Sequence, residues 1–256
     1  MLNLLPPGLL GATIAAGWSS DLSTDFDGTD DYANIDAALT PLATTTKGMW
    51  SAWTKGTDVE TSGSRVIIGA HGTTVSTRFY LFINAGKVGA FCAESGVTQW
   101  YVLTDAVVLT NNTWQHIALV QDGVSPVIYI DGVAEAQTFS VTTDKTYWFN
   151  DFSTIDNFRI GCRDFNSGGQ TLFWNGGIDD VTIWDDDFTS GEITSWRNSG
   201  TPTDPLVFSK SANLTAHYSM GDDDTHPTLT DRSTNADHGT LVNGTSGDFV
   251  SDTPPT

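Results

Sequence analysis

The clearest alternation of apolar and polar positions runs from Thr113 to Gly132. Ile117 and Leu119 share one parity there, and His116, Ala118 and Val120 the other. Successive side chains of a strand point to opposite faces, so such a run turns one face to a core. Val127, Ile128, Tyr129 and Ile130 make a second run, reached through Gln121-Asp122-Gly123 and closed by Asp131-Gly132. Asp-Gly suits a type I′ hairpin, whose two central residues take positive φ. The stretch predicts a β-meander, with Trp114 as an apolar anchor at its entrance. Further runs of strand character start at Met49, Arg65, Thr77, Lys87 and Ile178, and Asn84-Ala85-Gly86-Lys87 reads as a tight turn between two of them.

Helical signals are few. Thr189-Ser190-Gly191-Glu192 matches a capping box, predicting a short helix to about Trp196 that Gly200 stops. The pattern predicts an all-β fold, a two-sheet antiparallel jelly-roll sandwich with one short helix, over residues 21–200. Trp53, Leu119, Tyr129, Ile160 and Ile183 are expected to be buried in it.

The flanks read differently. Residues 1–20 form an apolar arm carrying Leu4, Leu5, Leu9, Leu10 and Ile14. Pro6-Pro7-Gly8 keeps its start extended, no basic residue precedes it, and it is too short and broken to span a bilayer. It reads as an ordered arm rather than a secretion signal. Its apolar side chains are costly to leave in water, so it is expected to dock on its own domain, on a sister subunit or on a larger assembly. Residues 201–256 read as a linker with Pro202 and Pro205 and then a C-terminal extension.

At 256 residues, 39% of them hydrophobic and 11% aromatic, the chain is long enough for one large sandwich with a substantial core. Its net charge of −20 would repel a phosphate backbone, so no nucleic-acid partner is expected, and no membrane insertion either. The acidity is nearly all Asp, since the only glutamates are Glu60, Glu94, Glu135 and Glu192. Most of the Asp residues suit solvated turns. Cys92 and Cys162 could form one disulfide but read as two buried free thiols.

Three motifs stand in a telling order. They are Phe26-Asp27-Gly28-Thr29-Asp30-Asp31-Tyr32, then Trp114-x-His116-Ile117-Ala118-Leu119-Val120-x-Asp122-Gly123 with Tyr129-Ile130-Asp131-Gly132, then Arg159-Ile160-Gly161 with Gly177-Ile178-Asp179-Asp180-Val181-Thr182-Ile183-Trp184. Together they resemble the laminin G-like family of the concanavalin A-like lectin superfamily, over roughly residues 20–200. The block around Asp231, Ser233, Asn235 and Gly239-Thr240 resembles one that usually precedes the first motif. Here it follows the domain, either as a permuted edge strand or as the opening of an uncompleted second repeat. That arrangement is similar to bacteriophage virion proteins.

Candidate chemistry follows from both sources. The resemblance implies a calcium ion near the first motif and the Ile178–Trp184 strand, with Asp27, Asp30 and Asp179 as ligands. Asp179 shares parity with Val181 and Ile183, so a buried carboxylate is expected to need either a cation or donor groups. The second reading has Asp179 capping amides of the first-motif turn without a metal. Glu-x-Asp-x-x-Glu, the hydrolase signature on this fold, is absent, as are activated Ser or Cys motifs, so no enzyme is expected. Trp148, Phe165, Asn166, Trp174 and Asn175 lie in or beside loops and could bind a sugar, although each aromatic singly is expected to fill core.

These strands lead to a non-enzymatic phage virion protein, a capsid decoration, head-fibre or tail-associated component located in the virion. It would contact other virion proteins and cell-surface glycans and form a homo-oligomer, with a trimer favoured. The alternative is a secreted bacterial carbohydrate-binding or adhesion module.

Overall fold

The computed structural model describes residues 19–165 and 169–255. Twenty strands and one α-helix account for about half of them. The first seven strands are β1 Ser23–Asp27, β2 Tyr32–Asn34, β3 Gly48–Gly56, β4 Ser64–Gly72, β5 Arg78–Asn84, β6 Lys87–Glu94 and β7 Val97–Thr104. Next come β8 Gln115–Gln121, β9 Pro126–Ile130, β10 Val133–Ala134, β11 Gln137–Thr142, β12 Ile155–Ile160, β13 Arg163–Phe165, β14 Gly169–Thr171 and β15 Asn175–Trp184. Helix α1, Ser190–Arg197, precedes β16 Leu214–Tyr218, β17 Met220–Asp223, β18 Thr228–Leu229, β19 Gly239–Val242 and β20 Phe249–Val250.

Two large antiparallel sheets result. One runs β10-β9-β8-β3-β15-β1-β20, with β16 also on β15, and the other runs β11-β7-β6-β5-β4-β12-β2-β19-β18. Alternation places Trp50, Ile117, Leu119, Ile128 and Ile183 of the first against Phe79, Leu81, Val102, Phe158 and Ile160 of the second in one core. Trp53 is 3% exposed and Tyr129 7%, so both are buried, but Tyr129 lies on the far face of its sheet, where Trp184, Phe188, Ile193 and Trp196 cover it. Cys92 and Cys162 are buried free thiols, and burial pushes both well above the ordinary thiol range.

Helix α1 starts as the capping box requires. The Glu192 amide donates to Thr189 Oγ1 at 3.3 Å, and the Thr189 amide donates to Glu192 Oε2 at 2.8 Å. It ends earlier than Gly200. Asn198 takes the left-handed conformation at the C-cap with φ 49°, which an Asn tolerates because its short polar side chain bonds locally. No helix among the described residues is long and apolar enough to cross a membrane.

Residue 200 is not a domain boundary. Beyond it, β16 pairs with β15, β19 with β2, and β20 with β1, so the C-terminal segment supplies strands to both sheets. Asp231 fastens it. Its carboxylate accepts from the amides of His217 at 2.9 Å, Ser233 at 2.8 Å and Asp237 at 2.8 Å. Asn235 adds a bond of 2.8 Å to the Thr215 carbonyl. The block supplies strands to the sandwich and does not open a second repeat.

Candidate functional site

The first-motif turn gathers carboxylates, but not the expected three. Asp27 lies opposite Asn175 in the β1–β15 ladder. Asp179 is four residues further along β15, roughly 13 Å away at the strand rise. Ile178 and Val181 both face the core although they are three apart, because a bulge interrupts the ladder between Asp179 and Thr182 and puts Asp180 at φ 50°. The bulge breaks the parity that joined Asp179 to Val181. Asp179 instead accepts from the Ser20 hydroxyl at 2.5 Å and the Asp180 amide at 2.7 Å. It neither joins Asp27 and Asp30 nor caps their turn.

Asp31 takes its place. Ligand oxygens of Asp27, Asp30 and Asp31 lie within 4.8 Å of one another. Slight burial raises Asp27, but amides of Thr29 and Asp30 outweigh it and hold the carboxylate below its ordinary range. Burial, and then the Asp27 charge, push Asp31 up. Three hard oxygen donors suit a calcium ion, and carbonyls and waters would complete its six to eight ligands.

The expected sugar contacts are mostly interior. Trp148 and Trp174 are fully buried and Phe165 is 6% exposed. Trp148 packs on Phe79 with ring centroids 4.9 Å apart, and Trp174 donates to the Gly177 carbonyl at 3.3 Å. A loop aromatic offers a stacking face only when solvent reaches it, and here the loops fold back on the core. Asn175 is half-buried beneath the first-motif turn. Asn166, and the arm residues Leu4, Leu5, Leu9, Leu10 and Ile14, lie outside the described residues.

The aromatic surface lies elsewhere, on the outer face of the nine-stranded sheet. Phe79, Leu81 and Ile83 of β5 point into the core, so Arg78, Tyr80 and Phe82 point away from it. Strand register then lines up one residue from each neighbour. Tyr101 of β7 faces Phe91 of β6, Phe91 faces Tyr80 of β5, and Tyr80 faces Gly69 of β4. The rings of Tyr80 and Phe91 stack at 5.2 Å and 19°, while Phe91 meets Tyr101 at 5.7 Å and 65°. Phe91 and Tyr101 are half-buried and Tyr80 is 9% exposed. Neither phenol bonds a described residue. Burial, then Tyr80, raises the Tyr101 phenol, so it stays a donor at neutral pH.

Polar groups border these rings. The Arg78 guanidinium lies 4.8 Å over the Phe91 ring. His71 is Arg78's partner across β4 and β5, stacks toward Tyr80 at 6.0 Å and is fully buried, with no bond to either ring nitrogen. Burial first, then the charges of Arg163, Arg159 and Arg78, bring it down to about 3, so it is neutral at pH 7. The β13–β14 hairpin flanks the row with Phe165 edge-on to His71 at 5.5 Å.

Two other places compete less well. A cleft of about 300 Å³ is lined by Thr46, Gly123, Thr146, Asn150 and Asp151. It has no aromatic face, and Asp151 already accepts from the Trp148 amide at 3.0 Å. Asp180 bonds His217 Nε2 at 2.8 Å, but Asp179 and Asp180 are 0% and 3% exposed. Burial first pushes both carboxyls well up, and no substrate reaches either.

Residues 27–194 match the laminin G-like family model of the concanavalin A-like lectin/glucanases superfamily. The chain belongs to this family. Solved structures share its lectin-like fold. The Ruminococcus gnavus IT-sialidase CBM40 bound to α2,3-sialyllactose aligns with a TM-score of 0.55 at 15% identity, covering 70% of this chain and 98% of that one. A protein from Bacteroides ovatus with a proposed carbohydrate-binding role aligns at 0.63 and 16%, covering 93% and 62%. The leech intramolecular trans-sialidase aligns at 0.56 and 16%, with 68% of this chain covering 27% of the enzyme. The family member thus spans about a quarter of that sialidase's length. At these identities the likeness shows the fold alone. A search of curated protein sequences gave no match.

Proposed function

We propose that this laminin G-like protein is a non-catalytic glycan-binding protein that seats a saccharide on Tyr80, Phe91 and Tyr101. The observation that carries the reading is the row of rings itself, a partly open aromatic face on one sheet of a lectin-like sandwich. Pyranose rings present apolar C–H faces that stack on such rings, and phenol hydroxyls bond their hydroxyl groups. The carbohydrate-binding neighbours support it as analogues of fold. Affinity electrophoresis through a panel of polysaccharides tests it. Retardation that Phe91→Ala with Tyr101→Ala removes, with the melting temperature little changed, is the expected result. Equal retardation of wild type and variant would move the site elsewhere.

The setting belongs to the same proposal. We keep the virion role, as a decoration, fibre or tail-associated component, on the strength of the permuted C-terminal block and the apolar pattern of residues 1–17. Deleting residues 1–17 is expected to turn a homo-oligomer, a trimer by preference, into a folded monomer. A truncated chain of unchanged oligomeric state would end that part. Any calcium held by Asp27, Asp30 and Asp31 would be structural, since it would tie the turn that joins β1 to β2.

A further inference from the structure

We infer that the ring row takes an anionic saccharide, whose carboxylate or sulfate ester sits between Arg78 and Arg163 beside His71. The inference rests on the glycan-binding reading and adds the charge of the ligand.

The starting point is an imbalance. The chain carries 11 Lys and Arg against 31 Asp and Glu, so acids to pair with are plentiful. Lys47, Lys55, Arg65 and Arg197 each hold a carboxylate within 4 Å. Arg159, beside the row, holds two, those of Asp36 and Asp164. Arg78 and Arg163 hold none among the described residues, and they flank the same spot. Arg78 stands across from His71 in the β4–β5 ladder. Arg163 lies 4.4 Å over the Phe165 ring, which is edge-on to His71.

Neither guanidinium is satisfied by neutral partners. Arg78 Nε is buried without a bond, and its charge rests on the face of Phe91. Arg163 Nε donates to Thr171 Oγ1 at 3.2 Å, leaving its terminal nitrogens free of described partners. The acid nearest in sequence, Asp164, is already taken. It accepts from Arg159 Nε at 2.9 Å and from Gln170 at 3.0 Å. Between the two arginines, His71 is fully buried with both ring nitrogens unpartnered. A buried polar group without a bond is costly, so Arg78 Nε and His71 mark this spot, and the terminal nitrogens of Arg163, without described partners, stand beside them for a ligand to meet.

The chemistry of that ligand follows. A planar guanidinium fork matches a carboxylate or a sulfate, and a charge-assisted bond is roughly twice as strong as a neutral one. A chain of net charge −20 repels anions at long range, but salt screens this beyond about 8–10 Å, leaving the local pair in control at contact. The sugar ring lies on Tyr80, Phe91 and Tyr101, with its charged group turned toward the two guanidinium groups.

Titration calorimetry on the full chain tests this, with paired probes differing in charge. The pairs are 3′-sialyllactose against lactose, polygalacturonate against neutral galactan, and a sulfated galactan against its desulfated form. The expected result is at least tenfold tighter binding of the charged member of one pair, weakened by added salt. The pair that shows it names carboxylate or sulfate. Arg78→Gln and Arg163→Gln should each remove most of the tenfold preference for the charged member. Should Arg78→Gln fail to fold, Arg163→Gln carries the test, because β13 lies outside both large sheets. Equal affinity for charged and neutral members would overturn the inference and leave the glycan-binding reading standing. Binding of neither member of any pair would overturn both.

Discussion

Gly69 and Tyr80 face each other across β4 and β5, and the absence of a side chain on Gly69 is what lets Tyr80 and His71 pack where they do. A Cβ added at Gly69 would lie 3.2 Å from the Tyr80 Cβ and 2.7 Å from His71 Cε1. The His71 ring is fully buried, so it cannot move aside without disturbing Phe165 and Tyr80. Gly69→Ala should therefore cost about 1–3 kcal/mol, the usual range for overpacking, and weaken glycan binding with it. Gly191→Ala is the control, because a Cβ there meets nothing within 4 Å and Ala favours the helix. Urea melts of the two variants check this. Equal stability of Gly69→Ala and wild type would show that the ring row tolerates a filled Gly69.

The C-terminal strands are integral to the sandwich. A chain ending at residue 212 loses β16 from β15, β19 from β2 and β20 from β1. It also removes Tyr218, Met220, Leu229 and Leu241 from the main core. Such a truncation should be unfolded or insoluble, read by circular dichroism and by a melting transition. A cooperative melt from the shortened chain would restore residue 200 as a boundary.

Acid should destabilise the fold through its buried histidines. His116 is 2% exposed with neither ring nitrogen bonded. Burial, then the Arg197 charge, lowers it to about 3 from the ordinary 6.5. A depressed folded pKa contributes stability that is present above about pH 6.5 and lost as pH falls toward 3, since the unfolded chain takes up the proton first. His71 and His217, also near 3, act in the same direction. Asp224, raised to about 6 by burial, acts in the opposite one, its contribution being present below 3.8 and lost as pH rises through 6. A difference measurement separates them. Relative to wild type, His116→Leu should gain about 2 kcal/mol between pH 7 and pH 4.5 in urea melts. A constant gap at the two pH values would mean that the imidazole titrates normally when folded.

An ion on the first-motif turn would be visible in melting curves. If calcium binds Asp27, Asp30 and Asp31, chelator should lower the melting temperature, because a ligand at 100 times its Kd stabilises the native state by about 2.7 kcal/mol. Asp31→Asn should abolish that sensitivity. Asp179→Asn should leave it intact, since Asp179 serves Ser20 and the Asp180 amide instead. Superimposable curves with and without chelator, together with no metal by elemental analysis, would leave these carboxylates as turn caps only.

The sequence alone determined what local pattern can encode. Period-two runs marked the strands, Thr189 and Glu192 marked the helix start, and three motifs in order marked the family. Each depends on residues a few positions apart, where parity and capping chemistry act directly. What the tertiary structure decided depends on register. Asp179 sits on the wrong parity because of a bulge that no residue type announces. Trp148 and Trp174 read as loop aromatics that each fill core, and packing places both there. Thr77 to Ile83 carried the one available hint of the ring row, since Tyr80 and Phe82 alternate with Phe79 and Leu81 and so make both faces apolar. Which face meets the other sheet, and which rings stand beside Tyr80, is set by pairing across β4 to β7. Lateral neighbours in a sheet come from residues distant along the chain, so a strand's own pattern shows its faces but not the company they keep.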